Sequence, residues 1–261
     1  AGIQRRVIGV SRFSDPGQAA ALHAHGIGTI RCDLLDESSV AQLPEAENIV
    51  YCAAMKFGST GNESLTWAMN TWLPSLVCRK FPRSRIVAFS TGNVYGLAPV
   101  SSGGSVETDT PQPVGEYAMS CLGRERMFEH FSARLGTPGR LVRLNYAIDM
   151  RYGVLHDIGR KVRDGEPIDL SMGHVNVIWQ GDANARAIQC LAPVLDLAEE
   201  EIDRASLSLV RFGVHGGDGR FEGAITAQAT SSKIVQTTTV TKLFAIGRVQ
   251  SVGMLCDGCG L

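Results

Sequence analysis

Through the first 150 residues, short apolar runs alternate with longer stretches whose apolar positions recur every three or four residues. Residues 6–10, 28–33, 48–54, 84–91 and 139–145 are rich in Val, Ile and Leu and too short for helices, so they read as strands. Between them, residues 15–26 offer Pro16 near a helix start and Gly26 as a stop. Residues 36–44 open with acidic and hydroxyl side chains suited to a cap. Residues 62–81 form a long helical segment bent or broken near Pro74, and residues 114–136 a helix closed by Gly136.

Strands apolar on both faces and separated by helices predict buried parallel strands. The expected fold is α/β: a doubly wound, Rossmann-like parallel sheet, with ligands above the carboxyl ends of its strands. After residue 150 the rhythm changes to a helix and turn (153–167), a short strand (175–179) and another helix (181–195), which suit a small substrate lobe. The division expected is 1–150 for the dinucleotide-binding part, 151–198 for a partial substrate lobe and 199–261 for an atypical tail. That tail is rich in Ser and Thr over residues 226–242 and has no sustained period, as in a disordered or frame-shifted segment.

Composition narrows the classes. Hydrophobic residues make up 44% and charged residues 20%, enough for a sizeable core, and the formal charge of −1 argues against a nucleic-acid partner held by a basic surface. No apolar run reaches the roughly 20 residues that span a bilayer, so no membrane partner is expected. Seven scattered cysteines suit reduced core thiols in a cytoplasmic protein. Cys256 and Cys259 form a lone C-x-x-C, half a zinc site at most, and no metal is expected.

The run FSTGNVYG at 89–96, followed by Tyr117 in EYAMSCLGRE, closely resembles the active-site signature of the extended short-chain dehydrogenase/reductases, the NAD-dependent epimerase/dehydratase-like family. In that family a strand ends in Ser or Thr before VYG, and a later helix carries Tyr-x-x-x-Lys. Asp33-Leu34, CAAMK, Asn70, LVRLNY and VNVIWQGDANARAI follow in the family's order, so the resemblance covers about residues 3 to 195.

It implies NAD or NADP as cofactor, a nucleotide sugar as small-molecule substrate, and a homodimer. It also implies Tyr117 as acid/base and Thr91, four residues before Tyr95, as the hydroxyl that orients the same substrate oxygen. Where the family has its lysine stands Cys121, on the same helix face as Tyr117. A neutral thiol cannot depress a phenol pKa as an ammonium does; a depression of three units by other means would need about 4 kcal/mol. Glu125 matches a helix Glu that the family often has.

Further positions follow from the same resemblance. Lys56 stands where some relatives have a lysine that contacts the cofactor, beside Ala53 and Ala54, and a solvated loop lysine is the alternative. Asn70 lies in the next helix, and Asn145 and Tyr146 stand at the substrate side. Ser11 and Arg12 end the first strand where NAD-selective relatives carry an acid, and a guanidinium there suits the 2′-phosphate of NADP. Asp33 and Leu34 resemble the pair that borders the adenine. The family's opening strand and its glycine-rich turn are absent before Arg6, so the first strand is expected to be missing. Two functions remain: an NAD(P)-dependent oxidoreductase, or a non-catalytic relative that binds a dinucleotide or a partner.

Overall fold

The computed structural model describes residues 6–151, 153–171, 174–191, 207–212, 224–225 and 251–254. In chain order the first elements are β1 (Val7–Ser11), α1 (Pro16–Ala24), β2 (Gly28–Arg31), α2 (Glu37–Ala41), β3 (Asn48–Tyr51) and α3 (Glu63–Trp67). Next come α4 (Leu73–Lys80), β4 (Arg85–Thr91), α5 (Gly115–Leu135), β5 (Gly139–Leu144), β6 (Tyr146–Ile148), α6 (Val154–Asp164), β7 (Val177–Trp179) and α7 (Gln180–Gln189). The strands β8 (Leu207–Phe212), β9 (Ala224–Ile225) and β10 (Ser251–Met254) complete the description.

Eight strands form the main sheet in the order β2-β1-β10-β3-β4-β5-β8-β9. From β2 to β5 all neighbours run parallel, as expected for strands buried on both faces, while β8 and β9 continue the sheet antiparallel. The chain winds outward from the centre in both directions, through β1 and β2 on one side and β3, β4 and β5 on the other. The centre is not an open gap. Strand β10 lies there, with Val252 in register with Ile8 of β1 and Ile49 of β3. Residues after 199, where the sequence offers no sustained period, therefore supply three strands, and the slot expected to lack a strand is filled from far along the chain. The Ser- and Thr-rich run at 226–242 and the Cys256–Cys259 pair lie outside the described residues.

Each helix is placed by what it covers. Ile86 and Ala88 of β4 face one way, into a core with Ile49, Tyr51, Leu73, Val77 and Phe128. Val87 of β4 and Val142 of β5 face the other way and meet Ala187 and Leu191 at the end of α7. The two faces of β4 thus follow the strand period of two. Tyr51 and Phe128 meet edge to face with centroids 5.2 Å apart, locking α5 onto β3. Small β6 and β7 pair parallel beside α6 and α7 as a second, two-stranded sheet. None of the five described cysteines forms a disulfide. Among the described residues no helix is long and apolar enough to cross a membrane.

The expected break near Pro74 falls one turn earlier. Residues Ala68–Trp72 form a π-helical turn between α3 and α4. Pro74 has no N–H to offer the carbonyl four residues back, that of Asn70, so the helix widens there. That widened turn carries Asn70 into the interior, where it is fully buried.

Candidate active site

Thr91 ends β4 and Tyr117 lies in the first turn of α5, a helix that packs against both β4 and the π-helical turn. Thr91 is 8% exposed, whereas Tyr117 keeps an edge toward solvent. The Thr91 hydroxyl and the Cys121 thiol, one turn along α5, both act on the Tyr117 phenol. Burial pushes the Tyr117 phenol well above its ordinary range, the Cys121 thiol adds to this, and the Arg124 guanidinium and Thr91 act against it. Burial likewise raises the Cys121 thiol, so at neutral pH it is a protonated, buried side chain and no nucleophile.

Asn70 ties the site together. Its Oδ1 accepts from the Met55 N–H at 2.8 Å and its Nδ2 donates to the Met55 carbonyl at 3.1 Å, which clamps the loop after β3. The same Nδ2 donates to Ser120 Oγ at 2.9 Å and approaches Cys121 Sγ at 3.9 Å. Arg124 Nη2 donates to Asn70 Oδ1 at 2.7 Å, and its Nη1 to the Phe89 carbonyl of β4 at 2.9 Å. Close approach of α5 to the π-helical turn depends on Gly123, where a Cβ would lie 2.6 Å from Thr71 Oγ1. Thr71 in turn donates to the Ser120 carbonyl at 2.9 Å.

Comparison with known proteins assigns the framework. The model of the NAD dependent epimerase/dehydratase family matches residues 1–148. The chain belongs to that family. No curated protein matches it in sequence. Among solved structures it is similar to Pal from Bacillus thuringiensis, with a TM-score of 0.63 and 18% identity over 72% of this chain and 67% of that one. DesIV from Streptomyces venezuelae, a dTDP-glucose 4,6-dehydratase, gives 0.61 and 19% over 72% and 63%. UDP-glucuronic acid 4-epimerase from Bacillus cereus gives 0.57 and 18% over 70% and 64%. At these identities the likeness is one of fold.

Within this epimerase/dehydratase framework the remaining expected residues fall into separate groups. Ser11 is buried at the end of β1, and its Oγ accepts from the Phe13 N–H at 3.3 Å. Phe13 has φ +50°, a left-handed kink for a bulky residue, and packs on Val7, Leu22 and Ile27 while Arg12 stays exposed. Asp33 is exposed and its Oδ1 accepts from the Leu35 N–H at 3.0 Å. The side chains of Leu34 and Ala53 belong to the main core, so only their backbone can border a ligand, and Ala54 is half-buried.

Lys56 is brought to Tyr146: its Nζ lies 5.7 Å from that ring and 5.1 Å from Phe57. Asn145 is exposed and leans over Gly92, where a Cβ would sit 2.0 Å from its Oδ1.

Arg124, Ser90 and Arg143 were not among the expected site residues. Arg124 sits three residues after Cys121 and seven after Tyr117, a spacing that keeps all three on one helix face. That spacing was the available signal. Ser90 Oγ donates to Glu125 Oε1 at 2.5 Å, and Arg143 pairs with Glu125 beneath the site. Among the described residues no group of three or more His, Cys, Asp or Glu could hold a metal ion.

Proposed function

We propose that this chain is an NAD(P)-dependent oxidoreductase acting on a nucleotide sugar, with Tyr117 transferring the proton and Thr91 orienting the substrate oxygen. One observation carries this reading: Thr91 closes β4, Tyr117 stands in the first turn of the helix packed against that strand, and the Thr91 hydroxyl acts on the phenol, with Tyr117 open on one edge. Nucleotide sugars and NAD are named with UDP-glucuronic acid 4-epimerase of Bacillus cereus, and NADPH with RMD of Pseudomonas aeruginosa, both of this fold.

The residues present suit a dinucleotide. The carboxyl ends of β1, β3 and β4 open on the same edge of the sheet, the region where parallel sheets that reverse their winding bind nucleotides. Ser11, Arg12 and Asp33 would hold the adenosine half, and Arg12 supports NADP over NAD. Lys56 and the backbone of Ala53 and Ala54 would hold the nicotinamide half; Asn70, expected to touch the cofactor, is buried and its amide is engaged by Met55, Ser120 and Arg124, so it acts by clamping that loop. The nicotinamide, when bound, supplies the hydride acceptor or donor.

Around it the chain's own groups act on the proton. A Tyr117 phenol held above its ordinary range is neutral at pH 7, so the resting site is set to donate a proton to a carbonyl oxygen. Thr91 donates or accepts at the same oxygen and fixes its position. Asn145, Tyr146 and Lys56 would line the sugar side. The same reading includes a homodimer through the outer faces of the π-helical turn and α5, where Trp72 and Leu135 are exposed.

A second reading, a binding relative without catalysis, is favoured by Cys121 in the place of a cation and by the raised phenol. One experiment separates them. Titration of the chain with NADPH and NADH, followed by fluorescence, is expected to give tighter NADPH binding, and UDP- and dTDP-sugars added to the loaded protein should then oxidise or reduce it. Binding without turnover supports the second reading, and tighter NADH binding overturns the role given to Arg12.

A further inference from the structure

Arg124 is a buried cation that no carboxylate among the described residues pairs. It is 3% exposed. Its Nη1 and Nη2 donate to neutral acceptors, the Phe89 carbonyl and the Asn70 amide oxygen, and its Nε has no partner among the described residues. The adjacent acid, Glu125, is already taken: Arg143 Nη2 meets it at 2.7 Å and Ser90 donates to it. Burying a charge without a counter-charge is costly, so a cation kept in this state needs an anion that appears at some stage.

The geometry points to Arg124 as a positioning residue whose guanidinium, held by Asn70, faces the negative charge that Tyr117 acquires when it gives up its proton. This deepens the oxidoreductase reading and rests on it. As a substrate carbonyl is reduced by a nicotinamide hydride, the O–H bond of Tyr117 breaks and a new one forms at the carbonyl oxygen. The electron pair of the broken bond stays on the phenol oxygen, which is then an anion. In the opposite direction the tyrosinate takes the proton back from the hydroxyl.

Several facts converge on Arg124 as the counter-charge. Tyr117, Cys121 and Arg124 share one face of α5, and the Asn70 amide bonds Arg124 and reaches Cys121 Sγ. The ionisable groups that act on the phenol are Cys121 and Arg124, both on α5. Arg143 and Glu125 neutralise each other, and Arg143 also bonds and stacks on Tyr95. Lys56, in the loop after β3, lies over the Phe57 and Tyr146 rings. Arg124 also opposes the upward shift that burial imposes on the phenol.

The test uses the full chain without cofactor, so that failure of the oxidoreductase reading leaves it intact. A fluorinated tyrosine at position 117, whose phenol ionises at lower pH, is followed by fluorine NMR across pH. Arg124→Met is expected to raise its pKa by about one unit, tenfold less tyrosinate at a given pH, and Arg124→Lys to restore most of the loss. Adding Cys121→Lys to Arg124→Met, which returns a cation to the same helix face, should also lower the pKa again. Thermal melts check that each variant is folded. If Arg124 only ties α5 to β4, Arg124→Met lowers the melting temperature and leaves the pKa of position 117 where it was, and that result overturns the proposal. In the loaded enzyme the same variant should lower kcat and leave KM little changed.

Discussion

Arg143 of β5 and Glu125 of α5 form an ion pair sealed from solvent, with 4% and 0% of the side chains exposed. Arg143 Nη2 donates to Oε2 at 2.7 Å and Nε to Oε1 at 3.0 Å, so the fork engages both carboxylate oxygens. Ser90 adds a third donor to the same carboxylate. This pair ties α5 to the sheet.

Removing one member of such a pair strands the other, which typically costs about 3–5 kcal/mol, whereas replacing both by apolar groups costs far less. Glu125→Leu is therefore expected to destabilise the chain by about that amount. Glu125→Leu with Arg143→Met should recover most of it. Urea unfolding of the three chains measures both. Equal losses in single and double variants would mean that the pair is not coupled.

Tyr117→Phe keeps the ring and removes the proton. Turnover should fall by about 100-fold or more, while NADPH affinity and melting temperature stay close to those of the parent. The pH dependence has a definite sign. Because burial, followed by the Cys121 thiol, raises the phenol, Tyr117 remains a proton donor across neutral pH. Reduction should stay level up to about pH 10 and decline only as the phenol ionises. A decline beginning near pH 7 would assign the proton to another group.

Gly92 and Asn145 test the substrate side. An alanine at 92 would drive its Cβ into Asn145 Oδ1, the far end of a side chain that can swing away. Gly92→Ala should leave the melting temperature nearly unchanged and raise KM for the sugar nucleotide. Asn145→Ala should give the same KM rise, and the double variant no further rise. Additive effects would show that Asn145 does not act through that contact.

Cys78 links burial to alkaline stability. It is 1% exposed, and burial lifts its thiol from an ordinary 9.0 to about 12. A group whose folded pKa is raised contributes stability that is complete below its unfolded pKa and is lost as pH rises toward the folded one. Between pH 9 and 12 this thiol should make stability fall by about 1.4 kcal/mol per pH unit, and Cys78→Val should remove that part of the slope. Chemical denaturation at pH 8, 9 and 10 reads the difference.

How far the sequence carries depends on the kind of information. The strands through β5 and their helices were legible because short runs of Val, Ile and Leu alternate with stretches of helical period. Thr91 and Tyr117 were legible from the spacing of a signature. Arg124 was hidden because a charged residue in a helix reads as a solvated one until its neighbours are known. Asn70 was named, yet its grip on Met55, Ser120 and Arg124 depends on a π-helical turn that no local pattern announces. The neighbours of β10 were illegible for a different reason. A four-residue strand carries too little pattern to identify itself, and its position is decided by two partners more than 190 residues earlier.

That position has a kinetic meaning. β10 pairs on both sides with strands from the first fifth of the chain, so β1 and β3 gain their shared neighbour only across very long loops. Closing such loops costs entropy before any ladder bond repays it, and sheets built this way fold slowly. During synthesis the two early strands must wait, facing each other across an unfilled seam, while some two hundred residues emerge. Their inner edges are exposed throughout that interval, and an edge of unpaired N–H and C=O groups accepts any strand that reaches it. The molecule's central seam is thus also its window for mispairing, open for as long as the rest of the chain takes to be made.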